Sequence, residues 1–311
     1  MEISEVSAAE YDAIFTNPSH VFNKASFNAL NASKCEQVYY LVFKDTKIRL
    51  GIIFGLKNNC LNAPFSAPFG GFECVSTDVR LQQIDAALLA LNEWASNKKI
   101  KEIKIVTPPF FYNDSFLNKL YNCLYRANYL QKSMELNYQF ATHTLDENYM
   151  ETIWYNACKN LKRGLKEALT FKKLEKANQK HAFDIIVQNR KERGFPLRMT
   201  WEQVEETSTV IPIDFFTVNK AQTAIGAAVV FYVAPRIVQV VYWGDLPAYS
   251  EYKTMNFLSY SLFNYYQNQD IKIIDIGPST ENSIPNYGLC EFKESIGCDI
   301  AIKTVFSKSF I

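Results

Sequence analysis

The chain has 311 residues, 48% of them hydrophobic and 21% charged, enough to bury a sizeable core in one large domain or two and too apolar for disorder. Thirty-three basic residues stand against 32 acidic ones, so a net charge of +1 excludes general electrostatic capture of DNA or an anionic membrane. Any recognition by charge has to be local.

The N-terminal stretch MEISEVSAAEYDAIF is acidic and lacks a basic segment followed by an apolar run, so no secretory signal is expected. Ser7 with Glu10 forms a capping-box start for a first helix. The longest apolar run, Ala224 to Pro235, falls short of a membrane span. The expected location is the cytoplasm. Seven cysteines without a CxxC spacing fit reduced thiols, and three scattered histidines offer no metal motif, so no metal site is expected.

Residues 38–55 read as strand, polar turn and strand, as do residues 213–231, with Gly51 and Gly226 in the second strand of each pair. A glycine-containing strand end follows in both halves, Phe69-Gly70-Gly71-Phe72 in one and Tyr242-Trp243-Gly244-Asp245 in the other. Next comes a helix, with Leu81, Ile84, Leu88, Leu91 and Ala95 at helical spacing in the first half and Met255, Leu258, Leu262, Phe263 and Tyr266 in the second. A strand ending in proline closes each set, at 100–109 and 271–279. Matching landmarks keep nearly the same separation, which points to a duplicated domain. Sequence after Pro278 has no visible counterpart in the first half. The expected domains are residues 1–147 and 148–311.

Between the repeats, residues 151–177 carry the stripe of one amphipathic helix and 178–193 that of a second, with a capping-box start at Thr200 and Gln203 for a third. Eight basic residues lie between Lys159 and Lys180 against Glu167 and Glu175 alone, giving the 151–193 segment a basic character. Lys159, Lys162, Arg163 and Lys166 share one helix face, suited either to phosphates of a nucleotide-bearing ligand or RNA or simply to solvent. Nucleic-acid binding through this face alone would weaken steeply with salt.

No GxSxG elbow, GxxxxGK[ST] loop or GxGxxG turn occurs, which removes the usual signatures of serine hydrolases and of P-loop and Rossmann nucleotide binding. At the end of the second repeat, Phe292-Lys293-Glu294-Ser295-Ile296-Gly297 places a lysine between apolar neighbours. Lys293 suits stabilisation of developing negative charge in a partly dry site, or else snorkels at the surface with its stem over apolar neighbours. Asp275, at the end of an apolar strand, is expected to face solvent or a cleft. With Glu281 and Glu291 it is a candidate base, and Tyr287 a candidate proton donor; each also fits a loop or capping role. Tyr242, Trp243 and Tyr249 could line a substrate groove.

The duplicated unit, the segment Ala67 to Phe72, the basic stretch Asn160 to Ala168 and the terminal Asp275-Ile276-Gly277 … Gly288-Leu289 … Phe292-Lys293 … Gly297 resemble the FemAB-like branch of the GNAT acyltransferase superfamily, over about residues 35–308. The resemblance implies an α+β fold of two tandem GNAT-like domains, each a mixed, mostly antiparallel sheet flanked by helices. It implies transfer of an acyl or aminoacyl group from acyl-CoA or aminoacyl-tRNA, as co-substrate and not as a resident cofactor, to an amine on a small molecule or cell-envelope precursor. Acyl-CoA-dependent N-acetylation of a small molecule or sugar, and a catalytically degenerate binding protein, are the alternatives. It further implies a transfer role for Lys293, phosphate contacts at Lys162, Arg163 and Lys166, and a substrate-binding place for Phe69 and Gly70. Two features depart from the pattern. The residues for a coiled-coil arm between 165 and 200 are missing, and Gly244 to Tyr249 lacks the glycine-rich loop that would cradle the CoA pyrophosphate.

Overall fold

A computed structural model describes residues 1–310, which form two compact units, residues 1–136 with 301 onward and residues 137–300. In chain order the first repeat carries β1 (Glu2–Val6), α1 (Ala8–Ile14), α2 (Ala25–Leu30), β2 (Gln37–Lys44), β3 (Ile48–Lys57), β4 (Cys60–Ala63), β5 (Glu73–Cys74), α3 (Leu81–Asn97), β6 (Glu102–Val106), α4 (Asp114–Arg126) and β7 (Leu130–Ala141). Then follow α5 (Tyr149–Thr152), α6 (Tyr155–Lys166), β8 (Leu169–Lys173), α7 (Gln179–Arg193), α8 (Trp201–Thr207), β9 (Ile213–Lys220), β10 (Thr223–Ala234) and β11 (Ile237–Asp245). The chain ends with α9 (Thr254–Gln267), β12 (Ile273–Pro278), β13 (Thr280–Glu281), β14 (Ile284–Pro285), α10 (Tyr287–Ser295) and β15 (Asp299–Ser309). The fold is α+β, with mixed, mostly antiparallel sheets flanked by helices.

Both repeats are present, and they are longer than their sequence landmarks. The hairpin β2–β3 answers β9–β10, both antiparallel. Strands β4 and β11 follow, then helices α3 and α9, then β6 and β12, each parallel to its predecessor. Helix α4 answers α10, so the sequence after Pro278 does have a counterpart. Its polar insertion, the β13–β14 hairpin, hides the match. The counterpart of β11 is β4 and not Phe69–Phe72, which belongs to the loop between β4 and β5.

The expected division at 147 is displaced to 136/137 because residues 137–141 of β7 pair with β12, whereas residues 305–309 of β15 pair with β6. Each repeat therefore ends in a strand that carries residues of the other unit. In unit 1 the sheet order is β1-β2-β3-β4-β6-β15, with β5 beside β3; in unit 2 it is β7-β12-β11-β10-β9-β8.

The single helix expected over 151–177 is broken twice. Trp154 is extended and donates its N–H to the Ser295 carbonyl at 3.1 Å, separating α5 from α6. Ala168 then turns left-handed (φ 51°), and Leu169–Lys173 pairs with β9. The helical stripe ends where an open strand edge offers Leu169 and Phe171 a ladder, a tertiary gain that local periodicity does not register. By contrast, the capping boxes at Ser7/Glu10 and Thr200/Gln203 start α1 and α8, and Gly194 (φ 68°) ends α7.

In unit 1, β4 pairs with β6 only as far as Ala63 and Ile105, and the chain then returns so that the Gly70 N–H donates to the Val106 carbonyl at 2.9 Å. Gly71, at φ 108°, makes the reversal. This return carries Phe69 into an aromatic cluster with His20, Phe22 and Tyr112, at ring distances of 5.0, 5.1 and 4.7 Å. Burial holds the His20 imidazole down to about 3. Unfolded, it would titrate near 6.5, so between pH 6.5 and 3 the unfolded chain takes up a proton that the native chain refuses. Stability is therefore expected to fall with pH below 6.5, by about 1.4 kcal/mol per pH unit from this group. His20→Phe keeps the ring and should flatten that acid slope in denaturant titrations run at pH 7.5, 6.5, 5.5 and 4.5; an unchanged slope would assign it elsewhere.

Candidate functional site

The candidate site lies in unit 2, where strands β11 and β12 part. Their parallel pairing covers only Ile237–Gln239 against Ile273–Asp275, although β11 continues to Asp245 and β12 to Pro278. Beyond that point β11 stays with β10 and β12 stays with β7. Both carry an irregularity at the parting, a shift that skips Val241 in β11 and one that skips Ile276 in β12. Parting strands leave backbone N–H and C=O groups that the ladder no longer serves, and each needs another partner.

Lys293 provides one set. It stands on α10 and is only 2% exposed. Its Nζ donates to the carbonyls of Ile276 (3.0 Å), Gly277 (2.8 Å) and Pro278 (3.2 Å) and lies 5.2 Å from the centre of the Tyr138 ring. An ammonium has three donors, and three successive carbonyls receive them. Such convergence requires the chain to curl, and Gly277 supplies the curl at φ 72°. Lys293 is thus a buried clamp and does not snorkel at the surface.

Asp275 holds the same turn from the other side. It is fully buried, which corrects the expectation that it faces solvent or a cleft. Its Oδ1 accepts from Asn137 Nδ2 and the Gly277 N–H, both at 2.8 Å, and its Oδ2 from Gln239 Nε2 at 2.7 Å. One carboxylate ties β7, β11 and β12 together at the parting. The reason it turns inward is the pair of amide side chains on the neighbouring strands, which the sequence of β12 alone does not reveal. Nearby, the Tyr138 hydroxyl donates to Glu294 Oε1 at 2.8 Å, and burial beside Cys290 and Glu294 pushes the phenol well up.

The other anticipated residues separate. Trp243 meets Phe292 of α10 at 6.0 Å, whereas Tyr242 packs on α7, 6.3 Å from Phe183. Adjacent strand residues point to opposite faces, so these two do not line one groove. Tyr287 is 74% exposed on the first turn of α10, and Glu281 is engaged with Arg198 at 3.0 Å. Phe69 and Gly70 belong to unit 1 and are packed inside it. Phe69 is 1% exposed, and Gly70 serves the β6 end, so their neighbours are core residues of that unit.

The basic segment also divides. Lys159, Lys162, Arg163 and Lys166 line a shallow depression on α6 together with Tyr155 and Cys158. The opposite face of α6 buries Ala157, Leu161 and Gly164, and a Cβ at Gly164 would stand 3.2 Å from Phe257 Cβ on α9. Lys173 is instead on β8, paired with Asp214 at 2.7 Å, and Lys180 is paired with Asp184 at 2.6 Å. Asn137, Gln239, Tyr138 and Glu294 were not singled out in the sequence. The signal available for Gln239 was a lone amide within the apolar run IVQVVYW, and for Asn137 an amide in the strand LNYQF.

No protein-family model matches the chain, and no curated protein matches it in sequence. Solved structures do. FemX superposes with a TM-score of 0.70 at 12% identity, covering 100% of this chain and 98% of that one. The C-terminal DUF2156 domain of a putative lysylphosphatidylglycerol synthetase from Agrobacterium fabrum gives 0.63 at 10% identity, covering 97% and 92%. A tandem GNAT protein from the clavulanic acid biosynthesis pathway gives 0.56 at 6% identity, covering 99% and 98%. At these identities the likeness is one of fold. The chain has the tandem GNAT-like fold that FemX shares.

Lys293→Met removes a buried cation, and three charge-assisted hydrogen bonds, from the 276–278 carbonyls. A destabilisation of about 2–4 kcal/mol is expected in denaturant titrations of the full chain, since orphaned buried polar groups cost about 1–3 kcal/mol each and relaxation recovers part. A loss below about 0.5 kcal/mol would show that the turn holds without its clamp.

Proposed function

We propose that the chain is an acyl- or aminoacyltransferase that delivers its group to an amine, with the reaction placed where β11 and β12 part. The parting itself carries this reading. It presents the edge of β11 beyond Gln239 without a strand partner, and backbone N–H groups on such an edge are suited to a donor carbonyl whose oxygen gains charge as the amine attacks. The Lys293 clamp and the Asp275 clasp keep the opposing strand end in one shape, so the edge is preorganised rather than shaped by the substrate. In this reading Lys293 acts on the reaction through the 276–278 backbone.

The depression on α6 supports a donor or acceptor that bears phosphates. Four exposed cations on one face, with Arg163 only loosely engaged by Glu167 at 3.9 Å, match a polyanionic segment such as the phosphates of a nucleotide-linked precursor, CoA or tRNA. The names of the structural neighbours point the same way, since FemX and the lysylphosphatidylglycerol synthetase domain suggest cell-envelope chemistry. Among the described residues no helix is long and apolar enough to cross a membrane, so an envelope acceptor would be met at its polar part. The competing reading, a binding scaffold without turnover, draws on the engagement of the Lys293 ammonium by three backbone carbonyls.

Single-turnover assays with labelled aminoacyl-tRNA and acyl-CoA donors, against UDP-linked muropeptides and amino sugars, test the proposal. New amide product is expected with one donor class. Lys293→Met should lower its rate constant at least tenfold, whereas Lys162→Glu with Arg163→Glu should raise the half-saturating donor or acceptor concentration and steepen its salt dependence less than in the parent. Binding of a donor without any product would favour the scaffold.

A further inference from the structure

Arg190 stands in the last turn of α7, half-buried, and its guanidinium donates to no protein acceptor among the described residues. Its Nε is buried without a partner. The planar group lies near two rings, 5.8 Å from the centre of Phe195 and 5.9 Å from that of Tyr242. Rings at that distance attract the cation through their faces but accept none of its in-plane N–H bonds.

No ion pair joins Arg190 to a carboxylate among the described residues, and the acidic groups Asp245 and Glu281 of the same unit are already in use. Asp245, at the end of β11, takes Arg193 at 2.8 Å on its carboxylate and Asn189 Nδ2 at 2.6 Å on its carbonyl. Glu281 takes Arg198. The carbonyl end of α7 is capped by its own backbone, since the Phe195 N–H returns to the Arg190 carbonyl at 2.9 Å and the Gly194 N–H to that of Lys191 at 3.3 Å. Only the fractional charge of the helix end remains, which is small beside a half-buried cation. Burial accordingly pushes the Arg190 pKa down from its ordinary value.

The surroundings are built and not incidental. The left-handed Gly194 turns the chain so that Phe195 returns to Arg190, and the Tyr242 hydroxyl lies against the backbone of Arg198 and Met199. A side chain held against two rings has less rotamer freedom left to lose on binding a ligand. From this we infer that Arg190 anchors a binding site for a small-molecule carboxylate or phosphate, gripping two of its oxygens with the guanidinium fork while Phe195 and Tyr242 flank the contact. An oxyanion supplies the acceptors that the protein withholds, and the bidentate match is specific to arginine. The site stands on α7 and Tyr242, apart from the Lys293 clamp, and its existence does not depend on the acyl-transfer reading.

Arginine Nε–H resonances of the full chain, followed by NMR during titration with sodium phosphate, sodium acetate and, at matched ionic strength, sodium chloride, test the site. Arg190→Lys identifies the resonance by its loss and keeps the charge. A saturable shift of the Arg190 signal is expected with phosphate or acetate and not with chloride, and whichever probe saturates at lower concentration tells the tetrahedral anion from the planar one. Thermal stabilisation of the parent by that anion should exceed that of Arg190→Lys and Arg190→Met, with at least tenfold weaker half-saturation in Arg190→Lys. Shifts no larger than those in chloride, or equal stabilisation of parent and both variants, would overturn the inference.

Discussion

When two parallel strands part halfway along their length, the hydrogen bonds they would have exchanged have to be found elsewhere. Unit 2 meets that requirement with charge. An ammonium from α10 gathers three successive carbonyls of β12, and a carboxylate from β12 gathers an N–H and two side-chain amides from its neighbours. The Ile276–Gly277 peptide is held by both, its carbonyl by Lys293 and its N–H by Asp275. Placing a cation and an anion so deep is costly unless hydrogen bonds fill their valences, and here three carbonyls hold the one while an N–H and two side-chain amides hold the other.

Unit 1 meets the same requirement with chain. After β4 and β6 cease to pair, Pro64–Phe72 returns and Gly70 takes up the Val106 carbonyl, while Phe69 fills the space with an aromatic cluster. The two repeats thus share an order of elements and differ in what occupies the place where their strands part. Packed aromatic rings close that place in unit 1. Backbone held by charged side chains shapes it in unit 2, which is why the chemical reading is centred there. The terminal strands are exchanged, since residues 137–141 of β7 pair with β12 of unit 2 and residues 305–309 of β15 pair with β6 of unit 1.

Hydrophobic periodicity and turn residues made much of this legible. Helices α3, α7 and α9, the hairpins β2–β3 and β9–β10 and the two capping boxes follow from spacing and from Ser, Thr, Gln and Gly at their ends, because those signals are local. The continuous helix over 151–177 failed for the converse reason. Leu169 and Phe171 satisfy a helical stripe and an edge strand equally, and the open edge of β9 decides between them. Asp275 and Lys293 stood out in sequence as polar residues in apolar settings, but their partners, Asn137, Gln239 and the 276–278 carbonyls, lie on other strands or point inward only once the strand curls.

By itself the sequence determined that the chain is a duplicated unit of strands and helices with its informative residues at the end of the second repeat, since repeat order and glycine positions are properties of the chain. Tertiary structure alone decided that Lys293 and Asp275 are buried and joined through one peptide, that Tyr242 and Trp243 serve opposite faces, and that Arg190 has no counter-ion among the described residues. Those facts depend on which groups from distant segments arrive within hydrogen-bonding distance, and a linear pattern carries no such distances.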